Sequence, residues 1–422
     1  VDDFDSEVDD ATTLLYFATG GGKSEAFFGL LVFALFLDRL RGKSLGVTAM
    51  LRYPLRLLTV QQAQRASKVL ARAEVVRREN QIDGEPFSIG FWVGSSNTPN
   101  YHGALGVSDI PYIDDVEVSE EELRRSDRKY KQAVSDWLKL PACPFCGGST
   151  GLRRTRSENP VLPNGIVGHI CIEHQCDWNA ANGGLSPLPF YIVDEDIYSV
   201  VPSVLLGTID KLALIGQSPR TITRVLGMFG LSAWQDSKSG RFISPTPQQF
   251  EEGGDDIVRL QPIYDGGQEA FLDPFPSLLV QDEAHLLEES LGTFAGLFET
   301  TLFEVYKRLA QYNPSVAKAP DGSIRMPKIV AATATVSDPE RQVENLYQRQ
   351  LIQFPYPGPR LYESFYAMPE LPELHSEEPI GEVEDIAYQR RIYATVLTNG
   401  KPHTTASVSV LSAFHSQITF LF

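Results

Sequence analysis

Hydrophobic positions along the chain alternate between short continuous runs and longer stretches of helical length. Residues 14–17 (LLYF), 203–208 (SVLLGT), 278–280 (LLV) and 328–332 (KIVAA) are short, apolar and bounded by turn-forming or polar residues, which predicts buried strands. Residues 27–40 (FFGLLVFALFLDRL) are apolar almost throughout and interrupted only at Asp38 and Arg39, predicting a buried helix. Residues 59–80 predict a longer amphipathic helix, whose several arginines a solvated face explains. Short buried strands separated by helices predict an α/β fold built on a parallel sheet flanked by helices.

The pattern also divides the chain. Residues 1–96 read as the first strands and helices of the sheet. From 95–103 (SSNTPNYHG) turn residues thicken, an acidic helical pattern covers 119–140, and every cysteine follows, so 97–187 reads as an inserted module. The core resumes in 188–340, with a further insertion near 214–276, rich in Gly, Pro and acidic clusters, whose fold the pattern leaves open. Residues 353–367 are aromatic and proline-rich and predict an extended crossing over the core. The region 341–422 is then a crossing segment that approaches another domain.

With 422 residues, 42% hydrophobic and 22% charged, the chain has the size and composition of a globular protein of two or three compact units. No apolar run reaches the roughly 18 residues of a membrane span, so no membrane is expected. The net charge of −17 argues against indiscriminate binding of polyanions, although it leaves room for a local basic track. The chain opens at Val1 without a basic, apolar leader, so no secretory signal is expected. Its four cysteines all fall between Cys143 and Cys176, which points to a metal site in a reducing cytoplasm more than to a disulfide scaffold.

Two motifs carry chemistry. The turn from the strand 14–17 into the helix that follows contains Thr19, Gly20, Gly21, Gly22, Lys23 and Ser24. Glycines at such a turn let backbone N–H groups converge on phosphate oxygens, and the helix N-terminus adds partial positive charge. Lys23 would reach the β/γ-phosphates of ATP, and the Ser24 hydroxyl would ligate Mg²⁺. Phe17 stands where the strict phosphate-loop pattern has glycine, so the loop is a variant. The second motif is Asp282 and Glu283, directly after the apolar run 278–280. At the carboxyl end of a strand in a parallel sheet, Asp282 would hold the Mg²⁺ shell and Glu283 would polarise the attacking water.

The cysteines form a C-x₂-C pair, Cys143 and Cys146, and a C-x₄-C pair, Cys171 and Cys176. Two such pairs suit a closed structural Zn²⁺ site that does folding and docking work. Because the second pair is widely spaced, His169 and His174 stay open as alternative ligands.

In order, residues 18–24 (ATGGGKS), 52–62 (RYPLRLLTVQQ), 207–213 (GTIDKLA), 282–285 (DEAH) and 333–335 (TAT) resemble motifs I, Ia, Ib, II and III of superfamily 2 helicases and translocases. The resemblance implies a RecA-like P-loop NTPase lobe. It implies ATP contacts from Thr19 through Glu25 and catalysis by Glu283, Asp282 and Lys23. It further implies coupling of hydrolysis to movement through His285, Thr333 and Thr335, and nucleic-acid contacts at Arg52 and Thr208. The phrases ATGGGKSEAF, RYPLRLLTVQQ, FWVGSSNTPN and CPFCGG look like the large helicase subunit of DISARM-type bacterial anti-phage systems, which implies DNA in preference to RNA and a partner subunit of a defence complex. No glycine–arginine signature of a second lobe follows residue 335, so the stretch reads as the first motor lobe and is expected to bind ATP and hydrolyse it weakly. A second reading is an ATP-gated scaffold that recruits protein partners without unwinding.

Overall fold

The computed structural model describes residues 4–16, 22–53, 56–94, 97–104, 106–114, 128–156, 165–209, 211, 219–238, 240–243, 256–261, 263–287, 289–333, 338–355, 357–360, 363–364 and 403–418. In chain order the main elements are β1 (Thr12–Tyr16), α1 (Lys23–Leu40), β2 (Ala49–Tyr53), α2 (Arg56–Glu79), β3 (Ile89–Trp92), α3 (Arg128–Trp137), β4 (Thr150–Arg154), β5 (Val167–Cys171), α4 (Asp177–Ala181), β6 (Pro187–Tyr191), α5 (Asp194–Val200), β7 (Val204–Thr208) and α6 (Pro219–Leu226). They continue with β8 (Trp234–Asp236), β9 (Phe242–Ile243), β10 (Ile257–Arg259), β11 (Leu278–Gln281), α7 (Glu289–Tyr312), β12 (Lys328–Thr333), α8 (Pro339–Tyr347), β13 (Leu351–Phe354), β14 (Pro357–Arg360), β15 (Glu363–Ser364) and α9 (His403–Ile418). The chain divides into two compact units, Val1–Ala367 and Met368–Phe422. In the second, α9 is the described element.

The first unit is built on a ten-stranded sheet of order β13-β1-β12-β11-β2-β7-β3-β6-β5-β4. From β13 to β6 every neighbouring pair is parallel. Side chains alternate between its two faces, and both faces are covered. Leu51, Leu206 and Val280 join one hydrophobic cluster with Phe27, Leu31 and Leu70 of α1 and α2. Their neighbours Met50, Leu205 and Leu279 join another with Phe298 and Tyr306 of α7. Burial on both sides is why these strands read as unbroken apolar runs. Gly207 has a packing reason: a Cβ there would lie 2.7 Å from the Trp92 carbonyl oxygen of the adjacent strand.

The two polar interruptions of α1 fasten its end to the rest of the unit. Asp38 is fully buried, accepts the Ser277 hydroxyl at 2.6 Å and lies 3.5 Å from Lys43. Lys43 is itself fully buried and donates to the Val47 and Phe275 carbonyls at 2.8 and 2.5 Å. Burial lowers the Lys43 ammonium to about 8, with the Asp38 carboxylate opposing that shift. Arg39 donates to the Lys43 carbonyl at 2.6 Å and the Glu85 carbonyl at 2.9 Å.

The stretch expected as an inserted module shares the main sheet. β5 pairs antiparallel with β6, and β4 antiparallel with β5, so the cysteine-bearing region prolongs one edge. Residues 119–127 of the acidic helical pattern lie outside the described residues; α3 covers its later part. Within 214–276, α6 is followed by a three-stranded antiparallel sheet of order β10-β8-β9. At the other edge, the start of the expected crossing segment is not merely draped over the core: β13 is hydrogen-bonded parallel to β1.

Replacing Asp38 with Ala leaves Lys43 buried without its counter-charge. Stability in denaturant titration is expected to fall by about 3 kcal/mol, whereas substitution of the exposed Lys307 is expected to change it by less than about 0.5 kcal/mol.

Candidate nucleotide site and cysteine cluster

The parallel pairing of β1, β12 and β11 puts their carboxyl ends side by side, with Tyr16 opposite Thr333 and Gln281 opposite Ala331. The motif I turn leaves β1, the Asp282–His285 turn leaves β11, and Thr333 ends β12. Of the expected phosphate-loop residues, Thr19, Gly20, Gly21 and, from motif III, Thr335 lie outside the described residues. Gly22 precedes α1 in a left-handed conformation, φ +88°, and a Cβ added there would meet nothing within 4 Å. Lys23 and Ser24 open the helix, so their positions fall where the helix N-terminus supplies unpaired N–H groups.

Asp282 is 8% exposed. Burial raises its carboxyl above the ordinary value; the Glu283 N–H, which donates to Oδ1 at 2.9 Å, opposes this, as do the charges of Lys23 and His285, while the Glu283 charge adds to it. Glu283 adopts φ +47°, a left-handed conformation costly for a residue with a Cβ and found where function over-determines the backbone. His285 Nδ1 lies 3.2 Å from Thr333 Oγ1 and 3.5 Å from Glu283 Oε2, which joins the second and third motifs directly.

Other residues reach this site without having been expected there. Gln62 of α2 donates to Ser24 Oγ at 3.4 Å, and its neighbour Arg65 pairs with the exposed Glu25. Gln342 of α8 donates to the carbonyls of Ala284 and Leu287 at 2.8 and 3.2 Å, clamping the turn that carries His285. Glutamines on amphipathic helices carry no distinctive sequence signal, although Gln62 stands within the 52–62 stretch.

The two expected nucleic-acid contacts sit deeper. Arg52 is 4% exposed and its guanidinium pairs with Glu299 of α7, while Thr208 is fully buried. In this arrangement neither side chain faces solvent. Arg52 instead ties β2 to α7, and its carbonyl accepts the Asp282 N–H at 3.0 Å.

The four cysteines converge although 33 positions separate the outermost pair in sequence. Their sulfur atoms all lie within 4.8 Å of one another; Cys143 to Cys176 is 3.7 Å and Cys146 to Cys171 is 3.4 Å. Four sulfurs around one ion at metal–sulfur distances near 2.3 Å would be about 3.8 Å apart, so the cluster can hold a tetrahedral metal. Gly147, at φ +81°, makes the knuckle, and the Gly148 N–H donates to Cys146 Sγ at 3.4 Å. Burial pushes the Cys143 thiol up to about 12, with the facing sulfurs adding to it, a burden that a bound cation would relieve. His169 is not part of this group: it is fully buried, stacked edge-on against Phe190, and its Nε2 accepts the Lys139 N–H at 2.9 Å. The cluster gathers four thiols and no histidine, His174 included. It packs on α2 through Ala71, and Arg78 of that helix lies over the Trp178 ring at 4.6 Å.

No protein-family model matches the chain. A search of curated proteins finds DISARM protein DrmA of Bacillus paralicheniformis, 32% identical over 370 residues. The resemblance read from the motifs holds over most of the chain. The match covers 84% of this chain and 29% of the relative, so the chain spans under a third of that protein's length. Among solved structures, the DUF1998 helicase MrfA matches 82% of this chain and 28% of its own at 10% identity, with a TM-score of 0.33. The same helicase bound to DNA and AMPPNP matches 76% and 26% at 8% identity and a TM-score of 0.21. Among the described residues, no helix is long and apolar enough to cross a membrane.

Changing Cys176 to Ser removes one of the four sulfurs. Metal analysis by plasma mass spectrometry is expected to find one ion per native chain and less than half of that in the variant, accompanied by a lower melting temperature; equal metal content in both would dissociate the cluster from metal binding.

Proposed function

We propose that this chain is the nucleotide-binding lobe of an ATP-dependent nucleic-acid translocase or helicase of superfamily 2, acting on DNA in preference to RNA within a bacterial anti-phage defence complex. The observation that carries the reading is that the carboxyl ends of the adjacent strands β1, β12 and β11, which precede the three motif segments in sequence, lie side by side, with His285 bonded to Thr333. The space at Gly22 left by the described residues and the start of α1 suit a phosphate chain, and the buried Asp282 suits a divalent cation.

Mg²⁺–ATP would supply the scissile phosphoanhydride and the charge that Lys23, Ser24 and Asp282 are arranged to hold. Lys23 compensates phosphate charge at the helix N-terminus, with Thr19, Gly20 and Gly21 of the same loop assigned to the phosphates by the motif. Glu283 accepts the proton of the attacking water. His285 and Thr333, already hydrogen-bonded, transmit the state of the DEAH turn to the residues after β12, including Thr335, and Gln342 ties that turn to α8. Movement along a strand would rest mainly on backbone contacts and so depend on salt. A Zn²⁺ ion in the Cys143, Cys146, Cys171 and Cys176 cluster would staple the antiparallel edge of the sheet to α2. The similarity to DISARM protein DrmA supports the defence reading, and we assign this chain a protein partner subunit of a defence complex. The site chemistry belongs to a reducing cytoplasm.

ATP hydrolysis measured with and without single-stranded DNA tests the reading. Wild-type turnover is expected to rise with DNA, and Glu283→Gln to lower the stimulated rate by about 10²-fold or more while retaining nucleotide binding; Lys23→Ala is expected to weaken binding itself. Tight ATP binding with DNA-independent turnover would instead favour the ATP-gated scaffold.

A further inference from the structure

A second cavity lies along the same carboxyl edge of the sheet, away from the nucleotide turns. β3 and β6 are parallel neighbours, so the segments that follow them leave the sheet on one side. His102 comes from the segment after β3, and Glu195, Asp196 and Ser199 come from α5, after β6. With α6 and the small sheet of β8 and β9 they enclose a cavity of about 370 Å³, walled also by Trp234 and Phe242. That volume falls within the range of roughly 300–1,000 Å³ typical of small-ligand sites.

The polar side of the cavity is already organised. Asp196, 1% exposed, lies 2.9 Å from His102 Nε2 and 3.5 Å from Arg241 Nη2, and accepts the Val167 N–H at 3.1 Å. Arg241 also donates to the Gly165 carbonyl at 3.0 Å. Nearer the solvent, Arg224 donates to Glu195 Oε1 at 3.1 Å, and Glu195 Oε2 accepts the His102 N–H at the same distance. Each guanidinium in the lining is thus matched by a carboxylate. The cavity offers donors and acceptors without a net charge that would select an anion or a cation, and its lining also carries the aromatic rings of Trp234 and Phe242. A neutral, planar ligand carrying both donors and acceptors fits that chemistry.

We propose that this cavity binds a nucleobase, with the ring against Trp234 and its polar edge toward the network of His102, Glu195 and Arg224. A base reaches such a pocket by leaving the stack, and is then held by stacking on an aromatic and by hydrogen bonds to its edge. Two sources supply the ligand, an unpaired base of a bound strand and a free nucleoside. The first rests on the function proposed above; the second does not.

The experiment uses the whole chain. Affinity for a single-stranded DNA oligonucleotide is compared, by fluorescence anisotropy, with affinity for an abasic strand of the same length, and adenosine and cytidine are titrated separately by calorimetry. The variants are Trp234→Ala and Trp234→Phe, the second keeping an aromatic wall should the first fail to fold. The base-bearing strand is expected to bind wild type about tenfold tighter than the abasic one; Trp234→Ala erases the difference and Trp234→Phe keeps most of it. Nucleoside binding that depends on Trp234, without discrimination between the two strands or without strand binding at all, assigns the pocket to a free nucleoside; in the latter case the translocase reading fails and the pocket stands. Equal affinity for both strands together with no saturable nucleoside binding overturns the proposal, as does a Trp234→Ala change that weakens both strands equally.

Discussion

Burial of the parallel sheet on both faces is the constraint on which the rest of the first unit depends. A parallel sheet cannot leave one face to water, because its crossover helices return over it. Here α1 and α2 cover one side, and α7 with the segment around Phe229 covers the other. Once both faces are dry, ligand chemistry is confined to the strand ends, and every turn leaving a parallel strand toward its carboxyl end opens on the same edge. Residues as distant in sequence as His285 and Thr333 therefore meet.

A sheet buried so completely leaves few places for charge, and those charges are used as fasteners. Asp38 with Lys43, Asp273 with Arg41 and Arg325, and Arg52 with Glu299 each tie a helix or loop to a neighbouring segment, while Glu74 pairs with Arg77 and Arg78 of its own helix and accepts the Phe87 N–H. Desolvation offsets much of their Coulombic attraction, so their contribution lies less in net stability than in rejecting alternative packings in which one partner would be buried alone. Arg52 shows the consequence for function. A cation at a strand end beside the candidate site is committed to α7, and its contribution there is to hold the backbone that receives the Asp282 N–H.

The sheet and its site were legible where local sequence carries the physics. The described part of 14–17, most of 203–208, and 278–280 and 328–332 are strands because two-sided burial demands unbroken apolarity, and the adjacent acids Asp282 and Glu283 stand out because carboxylates are costly at the end of such a run. The C-x₂-C pair announces a knuckle, and the convergence of Cys171 and Cys176 on it resolves the ligand alternatives in favour of four sulfurs. What sequence could not show was long-range pairing. Nothing in 167–171 distinguishes a strand that extends the main sheet from one in a separate module, nor marks β13 as a partner of β1; both are properties of register between distant segments. The pairing of Arg52 with Glu299 was illegible for the same reason, since that partner lies on a helix far along the chain.

The two edges of the sheet are closed differently, and the difference bears on what each end can do. At one edge β13 adds in parallel beside β1, directly against the strand that leads into the phosphate-loop turn. At the other, β5 runs antiparallel to β6 and β4 reverses again, so β5 alone sends its carboxyl end to the opposite side. Next to β6 the cavity lining therefore comes from the start of β5, through Gly165, and from the small sheet of β8 and β9. The reversal walls off the candidate base pocket and simultaneously places Cys171, at the far end of β5, where it can meet the cysteine knuckle. One change of strand direction thus builds both features, which makes the cysteine cluster a natural support for the cavity wall at the other end of the same strand.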